Sequence, residues 1–138
     1  MKRILVGYDG SASAEKAFSL GLDLAEKYAC EIHVLAVARP PEFGGEVEIE
    51  AEIENSRQYF VEILKLLQAT AALKKTGAVD FEVAVGHPAE QIVRHAEAWN
   101  ADLVIVGHRG HTFIERWLTG SVAKRVMDHA PCAVLVAR

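Results

Sequence analysis

Apolar and polar positions follow two periods along this chain. Apolar segments at residues 4–6, 32–37, 81–85, 103–106 and 133–136, interrupted only by His33 and Glu82, predict five strands. The continuous run at 4–6 marks a strand covered on both faces. Between the runs, apolar residues recur every three to four positions. Residues 13–28 set Ala17, Phe18, Gly21, Leu24, Ala25 and Tyr28 on one helical face, and Ser11 or Ser13 can cap its start. A second helix, clear from Tyr59, carries Phe60, Ile63, Leu64, Leu67 and Ala71, and Gly77 is read as its end. Pro88 suits the first position of a third helix bearing Ala89, Ile92, Val93 and Ala96. A fourth helix is predicted over 121–130 through Val122, Ala123, Val126, Met127 and Ala130, with Pro131 as its stop. Residues 39–45 are rich in proline and glycine and read as a loop. Residues 46–54 alternate acidic and apolar, a strand period, yet glutamate and alanine favour helices. That segment is expected to be a helix start or mobile.

Strand–helix alternation predicts the α/β class: one doubly wound, mainly parallel five-stranded sheet, order 3-2-1-4-5, with helices on both faces. Residues 1–138 form one domain on this reading. The order sets the ends of the first and fourth strands side by side at the switch point, where ligands of such sheets bind.

The first of those ends carries Asp9-Gly10, and the other carries Gly107-His108-Arg109-Gly110, followed after nine residues by Gly120-Ser121. Glycines just past a strand permit a tight turn and close approach of a ligand. A helix starting at Gly120-Ser121 would offer free backbone N–H groups and a positive dipole end to a phosphate, and the Ser121 hydroxyl adds a donor. The loop lacks the Gly-Lys-Ser/Thr of a Walker A motif, and Gly7-Tyr8-Asp9-Gly10 lacks the third glycine of the dinucleotide fingerprint. The chemistry is therefore a phosphate-bearing ligand held mainly by backbone. Each residue also has a plainer role. Asp9 can cap a turn, the glycines can serve turn geometry alone, and Arg109 can be a solvated loop charge. His108 and His111 read as surface histidines, since their spacing has no third metal ligand nearby. Lys124 and Arg125, one turn past Ser121, can reach phosphates or solvate the helix, and Trp117 can cover the loop.

Composition narrows the partners. The net charge of −4 argues against a large nucleic-acid footprint. No apolar run approaches the ~20 residues that span a membrane, and the run before Asp9 is too short for a secretory leader. Cys30 and Cys132 fit no metal spacing and read as reduced, buried thiols. The expected location is the cytoplasm.

Asp9-Gly10-Ser11, the spacing Gly107-x-x-Gly110-x9-Gly120-Ser121, and the ending His129-Ala130-Pro131-Cys132-Ala133-Val134-Leu135-Val136 together resemble the universal stress protein family, in its ATP-binding branch. The resemblance implies an adenine-nucleotide-binding fold, ATP with Mg or Mn as cofactor, a homodimer through the C-terminal strand, and a role in stress response or signalling. It implies that Asp9 contacts the nucleotide near the adenosine or its metal, and that Val37 offers backbone groups to adenine. Gly107, Arg109 and Gly110 would line ribose and phosphates, with Gly120, Ser121 and Val122 on the phosphates. His108 and His111-Thr112-Phe113 depart from the smaller residues common in the family. A slow ATP hydrolase or phosphotransferase is the alternative, as is a structural dimer without nucleotide; a flavin site is a weaker variant. Hydrolysis is disfavoured because no activating lysine, paired carboxylates or general base accompany the loop. No catalytic residue is assigned, and no nucleic-acid or membrane partner is expected.

Overall fold

The computed structural model describes residues 1–108 and 113–138, with backbone alone over 113–120. Elements alternate as β1 (Arg3–Gly7), α1 (Ala12–Tyr28), β2 (Glu31–Ala38), α2 (Glu46–Ala71), β3 (Val79–Val85), α3 (Pro88–Trp99), β4 (Leu103–Gly107), α4 (Phe113–His129) and β5 (Ala133–Ala137). The sheet order is β3-β2-β1-β4-β5 with every pairing parallel, as the sequence predicts.

β1 sits at the centre. Ile4 pairs with Ile32 and Leu103, and Val6 with Val34 and Ile105. Side chains alternate between two cores. Ile4 and Val6 join Phe18, Leu22, Ile32, Val34, Leu64 and Ile105 under α1 and α2. Leu5 joins Leu35, Ile92, Val104 and Val126 under α3 and α4. Both faces of the central strands are covered, which is why β1 and β4 lack polar alternation, whereas the edge strand β3 alternates with Asp80 and Glu82. Each fully buried Val, Leu, Ile or Phe contributes about 1.5–3 kcal/mol.

Three local expectations are corrected, and at residues 46–54 the helix start is the outcome: α2 begins at Glu46. Helix propensity overrides the two-residue period, and Glu46 and Glu48 suit the positive end of the helix dipole. α2 ends at Ala71, short of Gly77. Gly77 instead lies against β2: its N–H donates to the Cys30 carbonyl at 3.1 Å, and a β-carbon there would stand 2.9 Å from that oxygen. α4 begins at Phe113, so Gly120, Ser121 and Val122 lie inside it rather than at its start. The apolar spacing of Phe113, Ile114, Trp117 and Leu118 is helical, and an internal glycine costs only about 1 kcal/mol. Tyr28 and Met127, assigned to buried faces, are both 52% exposed.

Ser11 is the cap of α1, accepting from the Ala14 N–H at 3.1 Å. Cys30 is buried, Cys132 half-buried, and both are free. Burial raises the pKa of each thiol.

α1 closes with Ala29 in the left-handed region, φ 55°. That conformation costs a residue bearing a β-carbon about 1–2 kcal/mol. Ala29→Gly is therefore expected to stabilise the protein by up to about 1 kcal/mol in urea unfolding. Gly107 behaves oppositely, because a β-carbon there would meet the Ala14 nitrogen and the Ser13 carbonyl carbon at 2.8 Å. Gly107→Ala should cost about 1–3 kcal/mol. A neutral result at both positions would contradict the backbone geometry described.

Candidate functional site

The carboxyl ends of β1, β2 and β4 open into a cleft of about 290 Å³. Its floor is Gly7, Tyr8, Asp9, Val106 and Gly107, its β2 side Leu35, Val37 and Arg39. α3 adds Pro88 and Ile92, α4 adds Val122, and α2 adds Glu52, Ser56, Tyr59 and Phe60.

Local sequence explains the floor. The chain leaves β1 through Asp9-Gly10, with Gly10 at φ 84°, a conformation that favours glycine. Asp9 Oδ1 accepts from the Ser11 N–H at 3.0 Å, fixing the turn into α1. Tyr8 is 4% exposed, and its hydroxyl donates to the Glu15 carboxylate. Burial, then that hydrogen bond, raises the phenol's pKa, so it stays neutral. Gly107 is glycine because β4 ends against the first turn of α1.

Of the residues singled out from sequence, Asp9, Val37, Gly107 and Val122 share this cleft. Ser121 is exposed on α4, beside Val122. Gly120 lies in the α4 stretch where backbone alone is described. Arg109, Gly110, His111 and Thr112 lie outside the described residues, as does the Trp117 side chain. His108 is tied to β5: its N–H donates to the Ala137 carbonyl at 2.9 Å and its Nδ1 stands 3.2 Å from the same oxygen. Lys124 pairs with Asp128 at 3.1 Å on the outer face of α4.

The structure adds residues that the sequence reading passed over. Arg39 follows β2 and lines the cleft. Its neighbour across the sheet is the turn after β3, where the Gly86 N–H donates to the Ala38 carbonyl at 3.0 Å. His87, in that turn, accepts at Nε2 from Arg125 of α4 at 3.1 Å, so its proton sits on Nδ1, which is buried without a partner among the described residues. Burial, then Arg125 and Arg39, pushes its pKa below the ordinary 6.5. The signal for Arg39 and His87 was position: each lies two residues past a predicted strand. At the far end of the sheet, Glu82 stands between His95 at 2.9 Å and His33 at 3.2 Å, and the hydrogen bond to His95 holds its carboxyl below the usual range. Among the described residues no group of three or more His, Cys, Asp or Glu side chains is arranged to hold a metal ion. Nor is any helix among them long and apolar enough to cross a membrane.

A family model described as the universal stress protein family matches residues 1–138. The chain belongs to that family. A universal stress protein of Methanocaldococcus jannaschii is 33% identical over 145 residues, covering 99% of this chain and 82% of the relative. The universal stress protein UspA of Lactobacillus plantarum superposes with a TM-score of 0.90 at 24% identity, covering 99% and 97% of the two chains. A universal stress protein solved in complex with cAMP superposes with a TM-score of 0.76 at 23% identity, covering 99% and 97%. The alternating five-stranded parallel sheet is thus the universal stress protein fold, and the cleft lies at its switch point.

His87 makes stability depend on pH. The unfolded chain protonates this imidazole near 6.5, whereas the folded protein resists doing so. Its contribution is therefore full above about pH 6.5 and is lost as pH falls through the lower folded value. Unfolding free energy measured in urea should fall over that window, and His87→Gln should flatten it. An unchanged pH profile in the variant would contradict the placement of His87.

Proposed function

We propose that this universal stress protein binds an adenine nucleotide, ATP with Mg²⁺ or Mn²⁺, at the carboxyl ends of β1, β2 and β4. We further infer a dimeric, cytoplasmic binding module for stress response or signalling. The observation that carries the reading is convergence: Asp9, Val37, Gly107 and Val122 come from or directly follow four elements and line one cleft. The complex of a related fold with cAMP supports the same ligand class. The cleft's volume is near the low end of small-molecule sites, roughly 300–1,000 Å³.

On this reading adenine lies toward Val37 and the phosphates toward Gly107 and Val122, with Arg109, Gly110, Gly120 and Ser121 completing the phosphate contacts. Gly120 and Ser121 can give backbone N–H groups only where those groups are not used inside α4. Nucleotide binding by them therefore requires a later start of that helix. The Asp9 carboxylate suits a nucleotide-bound cation: Oδ1 takes the Ser11 N–H, and Oδ2 is left for the metal. That cation would neutralise phosphate charge. A backbone cradle binds ground and transition states about equally, which gives affinity rather than turnover.

Calorimetric titration with ATP, AMP, cAMP and FMN tests the ligand. An adenine nucleotide should bind most tightly, and Asp9→Ala should weaken the metal-dependent part. FMN binding tighter than every adenine nucleotide would sink the proposal.

The dimer reading rests on the unequal edges of the sheet. β3, at one edge, carries Asp80 and Glu82, charges that discourage strand addition. β5, at the other, is Ala133–Ala137 with no charge. Light scattering should report a dimer for the unmodified protein, and Val134→Lys should disrupt it. A clean monomer before any substitution would refute pairing through β5.

A further inference from the structure

α2 has two unlike halves. Its second half is anchored: Leu64, Leu67 and Ala71 are 3%, 6% and 6% exposed. In the first half the inward stripe continues as Ile49, Ile53, Ser56 and Phe60, and all four are only half-buried. The start of the helix is weakly held. Gly44 precedes it at φ 136°, and Gly45 stands at the cap position without a side-chain hydrogen bond. Capping by Ser, Thr, Asp or Asn is typically worth about 1 kcal/mol, and this end has none. Few buried apolar contacts and an uncapped end are the marks of a segment that opens at low free energy.

That same half lines the cleft, and its polar groups differ from the others there. Asp9 already holds the Ser11 N–H, and Tyr8 donates to Glu15. Glu52 and Ser56, one helical turn apart, both line the cleft. Among the described residues, neither is assigned a hydrogen bond or ion pair. A carboxylate accepts only, so Glu52 matches a ligand group that donates.

We propose that residues 46–60 of α2 are a wall that closes on the bound ligand, with Glu52 accepting a hydrogen bond from a donor of the nucleoside. This rests on the nucleotide reading above. An adenine nucleoside has two sources of such donors, the amine of the base and the hydroxyls of the ribose. Closure exchanges a loosely packed helix end for one packed on the ligand, and Ser56 enters the same contact surface.

Hydrogen exchange and calorimetry on the full chain test this. In the free protein, amides over 46–60 should exchange faster than those over 64–71. Saturating ATP should slow the first group by at least about tenfold and leave the second unchanged. Glu52→Ala, an exposed change between good helix formers that removes the acceptor, should weaken ATP about tenfold. Dideoxy-ATP lacks both ribose hydroxyls, and purine riboside triphosphate lacks the amine. Glu52→Ala should cost nothing on whichever of these lacks Glu52's partner. ATP binding with no added protection over 46–60 would overturn closure while leaving the nucleotide reading intact. So would a Glu52→Ala variant that binds ATP as tightly as the parent. Absence of ATP binding by the unmodified protein would instead overturn the nucleotide reading, and the inference with it.

Discussion

At Gly107 the end of β4 passes so close to the first turn of α1 that a β-carbon would stand 2.8 Å from the Ala14 nitrogen. Much of the cleft depends on that approach. It brings the carboxyl end of β4 beside the Asp9-Gly10-Ser11 turn, which runs from β1 into the same helix. Ser11 caps α1 and Asp9 braces the turn, so the helix start, the turn and the strand end fix one another. This side of the site is positioned by backbone packing before any ligand arrives, which limits the ordering that binding must supply there.

The two-sided burial of β1, β2 and β4 left a clear trace in sequence. Strands covered on both faces cannot alternate with polar residues, so Ile4-Leu5-Val6 and Leu103-Val104-Ile105-Val106 were legible as strands, and strand–helix alternation pointed to the doubly wound order that is observed. Asp9 and Gly107 were legible from the strand ends and glycines that mark the switch point, and Val37 and Val122 through the family resemblance; all four line the cleft. The start of α4 was not. Gly120 looks like a helix boundary, but a glycine's local preference is small beside the apolar spacing of Phe113, Ile114, Trp117 and Leu118. The contribution of α2 was also hidden. Its acidic first half reads as a solvated face, and only the packing of Leu64 and Leu67 on the sheet carries Glu52 and Ser56 over the cleft. The His87–Arg125 contact joins residues 38 positions apart, and no local pattern encodes it.

The chemistry of the cleft agrees with a binding role. Its acids are Asp9 and Glu52, its cation is Arg39, and its other walls are largely apolar. Tyr8 is held neutral by burial and by Glu15, which removes the phenol as a ready proton donor or acceptor. Among the described residues three titratable groups with lowered pKa values stand outside the cleft lining: His87 braces α3 against α4, Glu82 braces the edge of the sheet, and Asp102 accepts from the Lys2 and Arg3 N–H groups. Their shifts follow from structural contacts.

The central claim is that one cleft, at the carboxyl ends of β1, β2 and β4, receives the nucleotide. Backbone amide shifts in a ¹⁵N-labelled sample, followed as ATP and Mg²⁺ are added, test it most directly. Saturable shifts are expected at Tyr8, Asp9, Val37, Gly107 and Val122, with His33, Glu82 and His95 unmoved. Saturable shifts centred on that distant histidine cluster, or none at the cleft, would contradict it.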